Sequence, residues 1–173
     1  MELFEEILMA GGHSNSLGRA SEVLDAVRSD RSRLDELFDC IFADDAWVRM
    51  RAIDSFEKII KDNPEWIGPY LNRILGELTL SSQPSIQWHL AQIFAEVSLT
   101  DKQRLEAVAW LRHMIATTDV DWIVSVNVMK ALLYFYRNKF VVASDIKPLF
   151  KAQEGHASKS VRKKAAEFLL TLG

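Results

Sequence analysis

Four histidines, His13, His89, His113 and His156, are the side chains of this sequence most suited to hold a metal or move a proton, and they stand 76, 24 and 43 residues apart. A helical metal site needs a second ligand three or four positions along, and none of the four has one. No metal and no cofactor is expected. The single cysteine, Cys40, lies in the run Leu37-Phe38-Asp39-Cys40-Ile41-Phe42 and reads as a packed apolar residue, not a nucleophile. Asp44 and Asp45 are adjacent carboxylates, but no histidine or third polar group lies near them in sequence. Two acids ahead of an apolar periodic run satisfy free amides at a helix start, and that is the role expected here. Gly11-Gly12 belongs to no phosphate-binding loop and reads as a helix stop. No catalytic residue is assigned.

A basic cluster near the end has a different chemistry. Lys159, Arg162, Lys163 and Lys164, with Lys147 and Lys151 upstream, form the kind of group that binds phosphate. The same residues also suit a solvated last helix closing a stack, where a terminal repeat has to be polar. Residues 1–50 hold five basic and eleven acidic groups, whereas 139–173 hold seven basic and three acidic, within a net charge of −3. Such a dipolar chain can steer a partner, but its overall sign gives no support to bulk nucleic-acid binding.

These groups are carried by a chain of 173 residues, 49% hydrophobic and 26% charged, with only seven glycines and four prolines. That composition suits one globular domain over 1–173, and it is too poor in turn formers for a β fold. No stretch reaches the ~18 apolar residues that span a bilayer, and the start, Met1-Glu2-Leu3-Phe4-Glu5-Glu6, is acidic where a secretory signal is basic. A lone cysteine excludes an internal disulfide framework and suits a reducing compartment. A cytoplasmic location is expected, with no membrane contact.

Helical periodicity runs through the whole chain. A short helix over 2–10 stops at Gly11-Gly12, and a second, capped by Ser14 or Ser16, runs to about Arg28. Asp30 or Ser32 caps a third, and Asp44-Asp45 opens a fourth that reaches about Lys61. Pro64 starts a fifth, which Gly68-Pro69 kinks or restarts. Pro84 or Ser85 opens the sixth, and Thr100 with Gln103 makes a capping box for the seventh. The last three span about 120–138, 144–153 and 158–172.

One pattern recurs along these helices. Val48, Ile86, Ile123 and Val161 are separated by 38, 37 and 38 residues, and two further slots follow: Ala52, Leu90, Asn127 and Ala165, then Phe56, Phe94, Ala131 and Leu169. A period in this range with helices inside each unit predicts stacked helix pairs. These residues are expected to be buried, and Asn127 to be hydrogen-bonded between neighbouring helices.

Val48-Arg49-Met50-Arg51-Ala52 and Val161-Arg162-Lys163-Lys164-Ala165 resemble the Val-Arg-x-x-Ala signature that opens the second helix of a HEAT repeat. Ile67-Gly68-Pro69-Tyr70-Leu71 and Ile146-Lys147-Pro148-Leu149-Phe150 carry the proline common in its first helix, while Gln87 and Val124 stand where arginine is usual. The resemblance implies an all-α, right-handed superhelix of about five HEAT-like pairs, its second helices lining the concave face. It also implies that Arg49 and Arg162 pair with acids of the inter-helix turns. Two enzyme classes on similar scaffolds fit poorly. There is no His-Glu dipeptide of the metal-binding hydroxylases. No Trp is followed by Asp at i+4 as a glycosylase-like aspartate would suggest, and Asp54, which shares a face with Trp47, reads as a surface ion pair with Arg51 and Lys58.

The function expected is a non-enzymatic module that binds another protein, the alternative being a nucleic-acid-binding protein related to alkylpurine DNA glycosylases. Helix 120–138 is the informative stretch, because it is apolar nearly all round. With Ile123, Asn127, Ala131 and Tyr134 inward, Met129, Leu132 and Tyr136 fall on the far side, where the second copy offers Trp88 and Gln92. Those five residues are the expected partner groove, or else a thick packing layer. Lys159, Arg162, Lys163 and Lys164 are the candidate nucleic-acid contacts.

Overall fold

The computed structural model describes residues 2–12 and 16–173. His13 and Ser14 lie outside the described residues. Within them the chain forms ten α-helices and no strand: α1 Phe4–Met9, α2 Ala20–Ser29, α3 Leu34–Asp39, α4 Ala46–Asp62, α5 Leu71–Gly76, α6 Pro84–Glu96, α7 Asp101–Met114, α8 Trp122–Arg137, α9 Ala143–Gln153 and α10 Lys159–Thr171. None of these helices is long and apolar enough to cross a membrane.

The helix starts follow from local chemistry. Asp45 accepts from the amides of Trp47 and Val48 at 2.8 and 3.0 Å, so the Asp44-Asp45 pair serves the entry of α4. Thr100 and Gln103 close the expected capping box on α7. Pro84 occupies the first turn of α6, where its missing N–H costs nothing. Pro69 has the opposite effect: residues Pro64–Tyr70 form a tighter 3-10 stretch, and regular helix resumes only at Leu71. Ser16 does not cap α2. Its hydroxyl accepts from the Gly18 amide, and the helix begins four residues later than that serine.

The fold gathers into two compact units, Met1–Gly68 and Pro69–Gly173. In the first, α1, α2 and α3 all pack on α4, which buries Val48, Ala52, Ile53, Phe56, Ile59 and Ile60. Arg51 is also buried there. Its guanidinium donates to the carbonyls of Leu8 and Ser16, on either side of the turn between α1 and α2. Arg51 is therefore not the surface partner of Asp54, which instead pairs with Lys58 at 2.6 Å. Gly12 and Gly18 come close to that guanidinium, and a Cβ on either would stand 3.4 Å from it. Gly18 has φ +53°, and a Cβ there would stand 2.3 Å from the Gly11 carbonyl oxygen, so only glycine fits.

In the second unit α6 packs along α8, α8 along α10, α7 on α8 and α9 on α10. Across both units ten of the twelve residues in the three recurrent slots are buried, which fixes the register of the period. Ile123 and Leu169 are only half-buried, and their neighbours Val124 and Phe168 take the inward positions.

One polar device repeats at the helix corners. Arg49 Nη1 donates to the carbonyls of Ala43 and Asp44 at 2.7 and 2.8 Å. Arg162 Nη1 does the same, six and five residues back, to His156 and Ala157 at 2.7 Å each. Gln87, at the same slot of its copy, reaches Ser81 O, also six residues back, at 2.9 Å. The resemblance implies turn acids as the partners of these arginines; Arg162 instead meets turn carbonyls and has no carboxylate partner among the described residues. A long side chain on the first turn of the second helix thus satisfies carbonyls that the preceding helix leaves open.

At α8 the slot holds Val124, which can donate nothing. Gln153, fully buried at the end of α9, substitutes: its Nε2 donates to Ile115 O and Thr117 O at 3.1 and 2.8 Å, and its Oε1 accepts from the Ser125 hydroxyl at 2.9 Å. His156 adds a further tie. Its Nδ1 accepts from the Ser158 amide, so Nε2 carries the proton and donates to Val120 O at 2.8 Å. The change Gln153→Met keeps the volume but leaves the Ile115 carbonyl and the Ser125 hydroxyl unpaired in the interior. We expect it to lower the unfolding free energy by about 2 kcal/mol in urea denaturation; an unchanged midpoint would show that water replaces the amide.

Candidate partner-binding face

Helix α8 has sixteen residues, ten of them buried, so little of it is left to meet solvent. Apart from Trp122 at its start, which is 51% exposed, and the half-buried Tyr136, what remains is one line. Ile123, Lys130, Tyr134 and Arg137 recur at steps of seven, four and three, the spacing that keeps residues on one side of a helix. Lys130, Tyr134 and Arg137 are exposed and Ile123 is half-buried. On α6 the open side is Ser85, Trp88, Gln92 and Ala95, all half-buried, again at three- and four-residue steps.

The two lines are joined by one amide pair. Gln92 Nε2 donates to Asn127 Oδ1 at 3.2 Å, and Asn127 Nδ2 donates to the Ile123 carbonyl at 2.8 Å. Asn127 is thus the hydrogen-bonded residue between neighbouring helices that its slot predicts. Its amide is satisfied on both ends, so a buried polar group costs no unpaired donor or acceptor.

This face differs from the expected groove. Trp88 and Gln92 do lie on the open side of α6, with the Trp88 ring stacked on His89 at 3.5 Å between centroids. Met129 and Leu132, by contrast, are 0% exposed and belong to the core. Tyr136 is half-buried and lies away from the line of Lys130 and Arg137. A groove closed by Trp88, Met129 and Leu132 therefore does not exist: the far side of α8 is buried as well as Asn127 and Ala131, and it is Tyr134, expected inward, that is exposed. The cause is that α8 carries apolar residues on both sides, so hydrophobic spacing alone cannot choose between them. Charge can. Lys130 and Arg137 are the only ionised residues of the helix, and neither is buried at the cost of its hydration. Ile123 and Tyr134 share their side, while Val124, Val128, Leu132 and Phe135 fill the interior.

The electrostatics of this region are one-sided. From Trp122 to Gly173 the sequence has nine lysines and arginines and three acids. All three acids are engaged: Asp145 with Arg112 at 3.8 Å, Glu154 with Lys151, and Glu167 with Lys164 at 2.8 Å. The hydrogen bond from Lys164 holds the Glu167 carboxyl below the usual carboxylate range. Lys147 is spent on the Gly173 carbonyl and Arg162 on its turn. Lys130, Arg137, Lys139, Lys159 and Lys163 remain exposed and form no ion pair among the described residues, although Lys163 adds to the field that lowers the Glu167 carboxyl. Of the candidate nucleic-acid contacts, Lys159 and Lys163 are thus available, whereas Arg162 and Lys164 have structural partners.

Other side chains able to do chemistry are committed elsewhere. Burial pushes the Cys40 thiol up to about 12, so it stays protonated and unreactive near neutral pH. His89 and His156 are buried, and Asp121, beside His113 in a shallow cleft, accepts from the Ile123 amide as the cap of α8. Among the described residues no three His, Cys, Asp or Glu side chains gather as a metal site. No family model, no curated protein and no solved structure matches this chain.

Proposed function

We propose that the chain is a non-enzymatic binding module, an α-solenoid of about five HEAT-like helix pairs that holds another protein on the open face of α6 and α8. The solenoid reading is supported by the near-constant period, by the recurrent corner contacts of Arg49, Gln87 and Arg162, and by the order in which α6, α8 and α10 adjoin. Solenoids of this kind present extended surfaces to partners. The observation that carries the binding role is the face itself: Trp88, Ile123 and Tyr134 offer aromatic and apolar area beside Lys130 and Arg137, two cations with no partner of their own. Aromatic anchors with a charged surround are the usual anatomy of a protein contact. The free thiol Cys40 suits a reducing, cytoplasmic setting.

Nucleic-acid binding is the second reading, favoured by the unpaired Lys159 and Lys163 on α10. The two separate in one experiment. A photo-crosslinking side chain in place of Tyr134, activated in intact cells, is expected to trap a protein that resists nuclease treatment. A product that nuclease removes would overturn the protein reading, and so would no product at all.

A further inference from the structure

We infer that the α6 and α8 face takes an acidic amphipathic helix of the partner protein, with carboxylates repeated at a seven-residue interval; this rests on the reading of that face as a protein-binding site. The charge surplus gives the sign. Every acid from Trp122 onward already has a basic partner, yet five cations in the same stretch have none, so the region is complementary to an anionic surface. Lys159 and Lys163 lie on α10, which packs along α8. A one-signed field of this sort raises the encounter rate of an oppositely charged partner.

The spacing gives the form. Lys130 and Arg137 are two turns apart on one side of a straight helix, about 10.5 Å along its axis. A second helix laid alongside has the same rise, so carboxylates at i and i+7 meet both cations together. Between them, an apolar residue at i+3 or i+4 falls against Tyr134, while Ile123 continues the same line seven residues before Lys130. Duplex phosphates match less well. They come as one charge per about 1.7 Å of axis, and two cations about 10 Å apart would neutralise few of them.

The test uses a fluorescein-labelled helical peptide with Glu at i and i+7 and Leu at i+3 and i+4, the same peptide with Lys for Glu, and a labelled duplex oligonucleotide. Binding to the full chain is read by anisotropy at low and at physiological salt. The acidic peptide is expected to bind best. The double change Lys130→Glu and Arg137→Glu should weaken it by about tenfold or more, while the Lys peptide gains affinity for that variant. Both positions are exposed, so the helical signal and melting temperature of the variant should match the parent. Tighter binding of the oligonucleotide would sink the inference, as would an acidic peptide that binds parent and variant alike or neither. A protein crosslinked at Tyr134 together with an inert acidic peptide would remove the acidic helix and leave the binding face standing.

Discussion

Ala52→Asp is expected to unfold the first unit at room temperature, lowering stability by about 4 kcal/mol or more. Ala52 is fully buried on α4, the helix on which α1, α2 and α3 all converge. An aspartate there must shed its hydration among Val48, Ile53 and Phe56, which offer no hydrogen bond. The cations closest in sequence are already engaged, Arg51 with the carbonyls of Leu8 and Ser16 and Arg49 with those of Ala43 and Asp44. Loss of ellipticity with an early, broadened urea transition is the result that checks this. A variant that melts like the parent would mean that α4 can rotate its buried side outward, contrary to the register found here.

The second large effect concerns Met129 and Leu132. Each change to alanine is expected to cost about 2–5 kcal/mol, because both side chains are enclosed and their removal leaves a cavity. Being three residues apart on one helix, they share surroundings, so the double variant should not equal the sum of the singles. Tyr134→Ala, on the open side of the same helix, should leave stability within about 0.5 kcal/mol of the parent. Parallel thermal denaturation of the four variants decides it. Equal losses at Tyr134 and Leu132 would contradict the orientation of α8.

Much of the fold could be read from local sequence, and the contrast between α7 and α8 shows where that stops. The start of α7 is written in neighbouring letters, since Thr100 and Gln103 satisfy each other's amides without help from the rest of the chain. The break at Gly68-Pro69 is equally local. The orientation of α8 is not, because Ile123 and Tyr134 are as apolar as Val124 and Leu132. The informative letters there were Lys130 and Arg137, two charges among many apolar residues, and weighing them first would have placed the open face correctly. Arg51 shows the opposite failure. An arginine between Met50 and Ala52 reads as a surface residue, and nothing adjacent reveals that distant carbonyls will hold it inside. The candidate site was legible in α6, through Trp88 and Gln92, and misplaced in α8 for this reason.

The corner contacts also differ in how far they reach along the chain. Arg49, Gln87 and Arg162 bind carbonyls five or six residues away, so each corner is finished as soon as its own helix forms. Gln153 binds carbonyls 38 and 36 residues away, and that contact exists only once α9 has docked. Long closures are slower to form than short ones. The corner entering α8 is therefore the last to set during folding, and the amides of that corner should gain hydrogen-exchange protection together with those of α9, after α4 and α6 have gained theirs.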